Sequence, residues 1–377
     1  MRVIVVGAGL GGLTLAQGLR RAGVDVVVYE RDGALERPQG VSLHVDDRGA
    51  SALRACLPPG HAAMVEATTG GPRTQTLRLS DVDGPLTVVG AQPSDGMAGG
   101  ARPGRQVHRP LLRAVLLTGL EDVVRFGAEF TRFEQRADGT VQAWFADGRT
   151  DIADVLVGAD GIGSAVRRQY LPHAQVVDTG RRMLMGATPL HAVADAGLPG
   201  LIGDNPATVH VSGTMMALGV LRFAESPVVA RQRWLPTLRP DAVAHIEDYV
   251  MWALPVTQEW LGAASLSAAV WRRAKELTAD LRLIVAEAWP DVTVALRIGM
   301  IPPMPAWPAS PVTVIGDAIH LAPGFGGNLA MQDAYHLCQV LAEANRGRRE
   351  LLDAIGGYED TMRRTGFPTP ATTKAGA

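Results

Sequence analysis

The chain has 377 residues, 47% of them hydrophobic, and a formal net charge of −2. That supplies ample core material and disfavours nucleic acid or an anionic membrane as a partner, since neither a basic footprint nor a polybasic tract is present. Cys56 and Cys338 are too few for a disulfide framework or a cysteine metal cluster, so no metal is expected.

In chain order, residues 2–6 form an apolar run suited to a buried parallel strand. Gly7-Ala8-Gly9-Leu10-Gly11-Gly12 then supplies G-x-G-x-x-G. Residues 13–22 carry helical apolar spacing, with Gly23 as a C-capping glycine, and residues 25–30 are a second strand ending in Glu30. Gly7 suits the tight turn, Gly9 lets a pyrophosphate approach the backbone, and Gly12 lets helix and strand pack closely. The helix N-terminus faces the phosphates, and Glu30 accepts from a ribose. Arg31 borders the adenosine or is a solvated surface residue. Strand, glycines, helix and terminal acid together make a dinucleotide-binding βαβ unit.

Further on, the pattern predicts a strand at 40–45, a helix at 47–57 and a strand pair at 74–79 and 85–89 around Asp83-Gly84. A Gly/Pro/Ser-rich flexible segment is expected at 91–105, then a helix at 109–120. Residues 123–126, 128–135, 141–145 and 149–155 alternate like antiparallel strands, with Asp138-Gly139 and Asp147-Gly148 as turns. A short strand at 156–159 leads into Asp160-Gly161. From 183 to 255 little helical periodicity is visible, and strands are expected at 183–191, 208–211, 215–223 and 249–256. Helices at 278–289 and 329–345 flank a buried strand at 312–315. No stretch of roughly 18 apolar residues runs uninterrupted, so no membrane span is expected, and the cytoplasm is the default location. Lys275 and Lys374 are the only lysines, which leaves a catalytic lysine almost nowhere to be.

Two later segments narrow the reading. Val157-Gly158-Ala159-Asp160-Gly161-Ile162-Gly163-Ser164-Ala165-Val166-Arg167 is the first. Val314-Ile315-Gly316-Asp317-Ala318-Ile319-His320-Leu321-Ala322-Pro323-Gly324-Phe325-Gly326-Gly327-Asn328-Leu329-Ala330 is the second. With the N-terminal unit, they resemble the three signatures of the group A flavoprotein monooxygenases, the para-hydroxybenzoate hydroxylase-like family. The resemblance covers nearly the whole chain.

The resemblance implies an α/β fold. A Rossmann-like FAD-binding domain of the glutathione-reductase type would be interleaved with a mostly antiparallel β-sheet substrate domain and followed by a C-terminal helix. The expected division gives FAD-binding parts at 1–73, 101–178 and 291–345, substrate-domain strands at 74–100 and 179–290, and a C-terminal helix and tail at 346–377. It further implies non-covalent FAD held by Gly7, Gly9, Leu10, Gly11, Gly12, Glu30, Arg31, Arg109, Asp160, Asp317 and Asn328. Asp317 would reach the ribityl chain, and Arg109, in the stretch Val107-His108-Arg109-Pro110-Leu111-Leu112, the pyrophosphate. Arg113, one turn on, is read as solvated. Pro323, Gly324, Gly326 and Gly327 would pass along the flavin ring, with the helix from Leu329 aimed at its pyrimidine side. His320 is expected to be held by its own loop backbone. Asp160-Gly161 would serve FAD and NAD(P)H, or simply tie Arg167 to the strand.

The implied reaction uses NAD(P)H, a transient co-substrate, and O2 to hydroxylate, epoxidise or otherwise oxygenate an aromatic or polyketide-type small molecule through a flavin C4a-hydroperoxide. The cofactor does the hard chemistry, and no catalytic side chain is assigned with certainty. Candidate pocket walls are Met183, Met185, His210, Met215 and Trp252, each equally suited to core packing. A monomer or homodimer is expected. The loop P-G-F-G-G-N is shorter than the family's usual P-x-x-G-x-G-x-N, which keeps redox-neutral or oxidase-like FAD chemistry, or FAD binding without catalysis, as alternatives. Flavin-dependent halogenation is disfavoured. Tyr249-Val250-Met251-Trp252-Ala253-Leu254-Pro255 lacks the first Gly-Trp of the halogenase stretch, and no suitably placed lysine exists.

Overall fold

The computed structural model describes residues 1–33, 40–80, 86–93, 103–211, 214–262, 265–321 and 326–367. The first strand, Arg2–Val6, lies at the centre of a five-stranded parallel sheet in the order Val312–Val314, Val155–Gly158, Arg2–Val6, Asp25–Tyr29, Val124–Arg125. Its residues are almost wholly apolar and buried, as a strand covered on both faces requires. The Leu10–Arg21 helix crosses between the first two strands and packs against the long Gly326–Asn345 helix.

Val124–Arg125 corrects one expectation. Its alternation groups it with the antiparallel strands, but it pairs in parallel with Asp25–Tyr29. Val28 N–H bonds Val123 O at 3.0 Å, so the open edge of the parallel sheet recruits this short segment. The three following strands, Phe130–Gln135, Val141–Phe145 and Thr150–Ala153, do form an antiparallel sheet. Gly139 and Gly148 each sit at φ +85° in its turns, where a side chain would be strained.

The second large layer is a seven-stranded mixed sheet. Its order is Val294–Met300, Val177–Pro189, Tyr249–Thr257, Thr214–Leu221, Ala207–Val211, Gln75–Ser80, Thr87–Pro93. A small sheet of Ser42–Val45, Gly104–His108 and Thr69–Arg73 lies beside it. Gly104–His108 is thus a strand at the end of the segment expected to be flexible; residues 94–102 of that segment, and the turn at Asp83-Gly84, lie outside the described residues.

Several other elements leave no clear signal in the sequence. Helix Pro59–Ala67 starts immediately after the preceding helix because Pro59 occupies its first turn, where the missing N–H costs nothing. Helix Pro227–Trp234 buries only Pro227 and Ala230, too little to leave an apolar period in the sequence. Helix Leu266–Ala274 and strand Val294–Met300 are further examples. Among the described residues, no helix is long and apolar enough to cross a membrane.

Candidate functional site

A continuous cleft of about 1140 Å³ runs from the C-terminal ends of the parallel strands to one face of the seven-stranded sheet. This is where open α/β sheets place ligands. Gly7, Gly9, Leu10, Gly11, Glu30, Arg31, Arg109, Asp160, Asp317, Gly326 and Gly327 all line it.

At its first end the three glycines do different jobs. Gly7 has φ +109°, and a Cβ there would lie 2.3 Å from Ala159 O. A Cβ on Gly12 would lie 2.1 Å from Gly7 O, so Gly12 serves packing and stays out of the cleft lining. Around a Cβ on Gly9 no atom of the described residues lies within 4 Å, which leaves open space at the N-cap of the Leu10–Arg21 helix. Open space at a helix N-terminus, lined by backbone N–H groups, is what a pyrophosphate requires.

Glu30 is 8% exposed; its Oε2 accepts from Ala8 N–H at 2.7 Å and Oε1 from Asp32 N–H at 3.0 Å. Those bonds fix the carboxylate and leave it further acceptor capacity for a ribose hydroxyl. Arg31 is half-exposed beside Asp32.

Arg109 and Arg113 lie on the helix Arg109–Leu117, whose first turn is capped by His108 Nδ1 accepting from Leu111 N–H. Arg113 corrects the expectation of a solvated residue: it is buried, its Nε donates to Ala8 O at 2.9 Å, and Glu30 lies 3.9 Å away. Burial, and then the neighbouring Arg113, push Arg109 down to about 10, so its guanidinium remains cationic at neutral pH; burial also lowers Arg113, against the opposing charge of Glu30. Two cations at the edge of an open helix N-terminus form a site for a doubly charged phosphate bridge.

Asp317 lies at the floor of the cleft, open to it but surrounded by protein elsewhere, so desolvation raises its carboxyl pKa against the pull of His320 and Arg109. A Cβ on Gly326 would fall 2.6 Å from Asp317 Oδ1. The helix begins at Gly326 rather than Leu329, so Gly326, Gly327 and Asn328 are its first turn and not loop. Pro323 and Gly324 lie outside the described residues.

Asn328 is fully buried and does not line the cleft. Its Oδ1 accepts from Asp46 N–H at 3.0 Å and its Nδ2 donates to His44 O at 2.8 Å, which ties the helix to strand Ser42–Val45. His320 is likewise not held by its own loop. Its Nε2 is 2.7 Å from Asp333 Oδ2, and both side chains are buried. Burial acts to lower the His320 pKa, but Asp333, by charge and hydrogen bond, holds it above the ordinary value.

Asp160 lines the cleft while Oδ2 accepts from Ala165 N–H at 2.7 Å and Val166 N–H at 3.3 Å, starting the Ala165–Tyr170 helix. Arg167 on that helix donates to Ala318 O and Ile162 O, joining the second motif to the third.

At the sheet end, Met183 and Met185 line the cleft. Trp252 does not: it is fully exposure-free at 0%, in the core on the opposite face, and its alternating neighbours Met251 and Ala253 take the cleft side. His210 and Met215 pair with one another on the outlying hairpin, and Met215 is 41% exposed outside the cleft lining. Residues the sequence reading missed are Ser42, His44, Arg73, Gln106, Met251 and Ala253, all of which line the cleft. Only the last two carried a signal, the strand alternation around Trp252.

The model of an FAD binding domain matches residues 1–209 and 304–364. Among curated relatives, the dual O-methyltransferase/FAD-dependent monooxygenase elcB of Phaeosphaeria nodorum is 31% identical over 397 aligned residues, covering 94% of this chain and 42% of that protein. The chain thus spans less than half the length of the first such relatives. The FAD-dependent urate hydroxylase of Klebsiella pneumoniae is 28% identical, covering 95% of this chain and 85% of that protein. Among solved structures, a Photorhabdus luminescens protein assigned as an FAD-containing monooxygenase superposes with a TM-score of 0.81 at 28% identity, over 97% of this chain and 94% of that one. Klebsiella pneumoniae HpxO in complex with FAD and uric acid shares the fold, with a TM-score of 0.72 at 24% identity over 97% of this chain and 86% of that one. Matched over well over half its length, and with a cleft whose open glycine, fixed acid and paired arginines suit the cofactor, the chain belongs to the FAD-binding-domain family.

Proposed function

We propose that this protein is an FAD-dependent monooxygenase that uses NAD(P)H and O2 to hydroxylate an aromatic or polyketide-type small molecule. One observation carries the reading: the nucleotide end of the cleft and the methionine-lined face of the seven-stranded sheet are parts of one continuous space. A cofactor spanning the first end would therefore present its reactive end to a chamber walled by Met183, Met185, Met251 and Ala253. FAD, when bound, supplies hydride acceptance from NAD(P)H and the activation of oxygen.

The chain's own residues bind, orient and shield. Gly9 and the first turn of the Leu10–Arg21 helix receive the pyrophosphate, with Arg109 and Arg113 as counter-charges. Glu30 accepts from the adenosine ribose, and Asp317 from the hydroxyls of the ribityl chain. Asp333 holds His320 and Gly316 N–H, which fixes the turn that carries Asp317. The methionine and alanine side chains exclude water and conform to a flat ring. The sequence has one G-x-G-x-x-G unit only, so NAD(P)H enters transiently without a second nucleotide-binding unit.

The test is FAD-loaded protein supplied with NADH or NADPH and a panel of phenols and aromatic polyketides. Substrate-stimulated nicotinamide oxidation with a product heavier by one oxygen, labelled from 18O2, is expected. FAD retention with no oxygenated product from any panel member would refute the assignment.

A further inference from the structure

Arg73 ends the Thr69–Arg73 strand and is 4% exposed, yet it lines the cleft. Its Nη1 donates to His44 Nδ1 at 3.4 Å, while Nε and Nη2 have no hydrogen-bond partner among the described residues. A guanidinium only donates, so His44 accepts through Nδ1 and is neutral. Burial, and then the charge of Arg73, push His44 down to about 4, in keeping with that assignment. The nearby Asp204 is itself engaged by Arg222 at 3.6 Å.

Gln106 stands next to this cation and is 1% exposed. Its Nε2 donates to Ser42 Oγ, and its Oε1 has no hydrogen-bond partner among the described residues. The two groups converge: a Cβ on Gly219 would lie 2.6 Å from Arg73 Nη2 and 2.8 Å from Gln106 Oε1. Gly219 pairs with Met251, so this point is on the cleft face of the seven-stranded sheet, beside the methionine wall. An unpaired buried cation and an unsatisfied buried acceptor are each costly, and their meeting in a cleft marks a ligand that satisfies both.

We propose that Arg73 and Gln106 form the polar recognition point of the substrate chamber, and that the substrate is an aromatic compound bearing an anionic oxygen. That oxygen, of a carboxylate or a phenolate, accepts from Arg73 Nε and Nη2, and an adjacent hydroxyl or N–H donates to Gln106 Oε1. The anion is thereby anchored at the small-sheet wall, with the ring laid along Met183, Met185 and Met251. This rests on reading the chamber as a hydroxylase site.

The probes are two pairs of similar shape: benzoate with benzamide, and 4-nitrophenolate with 4-nitroanisole. Binding to FAD-loaded protein is read from the perturbed flavin absorbance. At least one anion is expected to bind about 10- to 100-fold more tightly than its neutral counterpart, the range for hydrogen bonds to a charged group. Whichever pair shows the preference identifies the anion as carboxylate or phenolate. Arg73→Gln brings the ratio close to 1 without changing FAD affinity, and Arg73→Lys, which keeps charge but loses the fork, gives an intermediate ratio. Equal binding within both pairs, binding of no probe at millimolar concentration, or a preference that survives Arg73→Gln overturns the proposal. Should Arg73→Gln not fold, the Lys variant decides: an undiminished preference overturns it. Protein that takes up no FAD would sink the hydroxylase reading; thermal shift of the apoprotein with the same probes then decides the anion site separately.

Discussion

Alanine at Gly9 and alanine at Gly12 should fail in opposite ways, although both glycines belong to one motif. At Gly12 the new Cβ meets Gly7 O at 2.1 Å, a backbone atom that no rotamer change can move. Overpacking of that kind costs about 3 kcal/mol or slightly more. Replacing a helical glycine by alanine returns about 1 kcal/mol. The net loss is about 2 kcal/mol, and at ~2.1 cal/mol/K per residue it lowers the apoprotein Tm by about 2–3 °C. At Gly9 the Cβ meets nothing within 4 Å among the described residues, so the apoprotein keeps its Tm. The same methyl group occupies the approach of the pyrophosphate, and losing a charge-assisted contact weakens FAD binding by about 10- to 100-fold. Differential scanning fluorimetry of the stripped variants and fluorescence titration with FAD measure the two effects. A Gly9→Ala variant that binds FAD like the parent, or one whose apoprotein is the less stable of the two, refutes the division of roles.

Other expectations follow from the same geometry. Asp317→Ala should leave the fold intact and weaken FAD binding by about tenfold, the loss of a charge-assisted acceptor; a variant as yellow as the parent after dialysis contradicts the assigned contact. Trp252→Ala should cost about 3–5 kcal/mol of stability, read as a lowered Tm, because its indole fills the core and not the chamber. Glu359 accepts from Thr313 Oγ1 at 2.9 Å and Tyr170 Oη at 3.2 Å, and burial raises its carboxyl to about 7 from the ordinary 4.5. The folded state therefore prefers the protonated form, and stability falls as pH rises from the unfolded value through the folded one. Glu359→Gln should match the parent near pH 4.5 and exceed it above pH 7 by about 3 kcal/mol at ~1.36 kcal/mol per pH unit. A Tm difference that does not grow with pH would dismiss this. For His320 the raised value works in the same sense: the ion pair with Asp333 contributes fully below the ordinary imidazole range and is lost as pH rises through the folded value. Asp333→Asn should flatten that dependence while lowering stability by about 3 kcal/mol or more; an unchanged pH profile of Tm counts against the pair.

Local signals made much of this molecule readable. The apolar run, glycine spacing and terminal acid of the first 30 residues have no other economical packing, and the Asp-Gly turns at 138–139 and 147–148 set their hairpins. Partners chosen across the fold left no such trace. Asn328 looks like a cofactor-loop residue until the strand carrying His44 and Asp46 is laid beside it. Arg113 looks solvated until Ala8 O and Glu30 close over it. Alternation showed that Trp252 and Met251 face opposite ways but could not say which way was inward. Arg73 and Gln106, lone polar residues on short strands, carried no pattern at all.

The most direct test of the account is a titration of the stripped protein with FAD, followed by heat release of the bound flavin. Saturation at one equivalent, with all colour freed on denaturation, is the predicted result. Protein that stays colourless in micromolar FAD would contradict the cleft's assignment and everything built upon it.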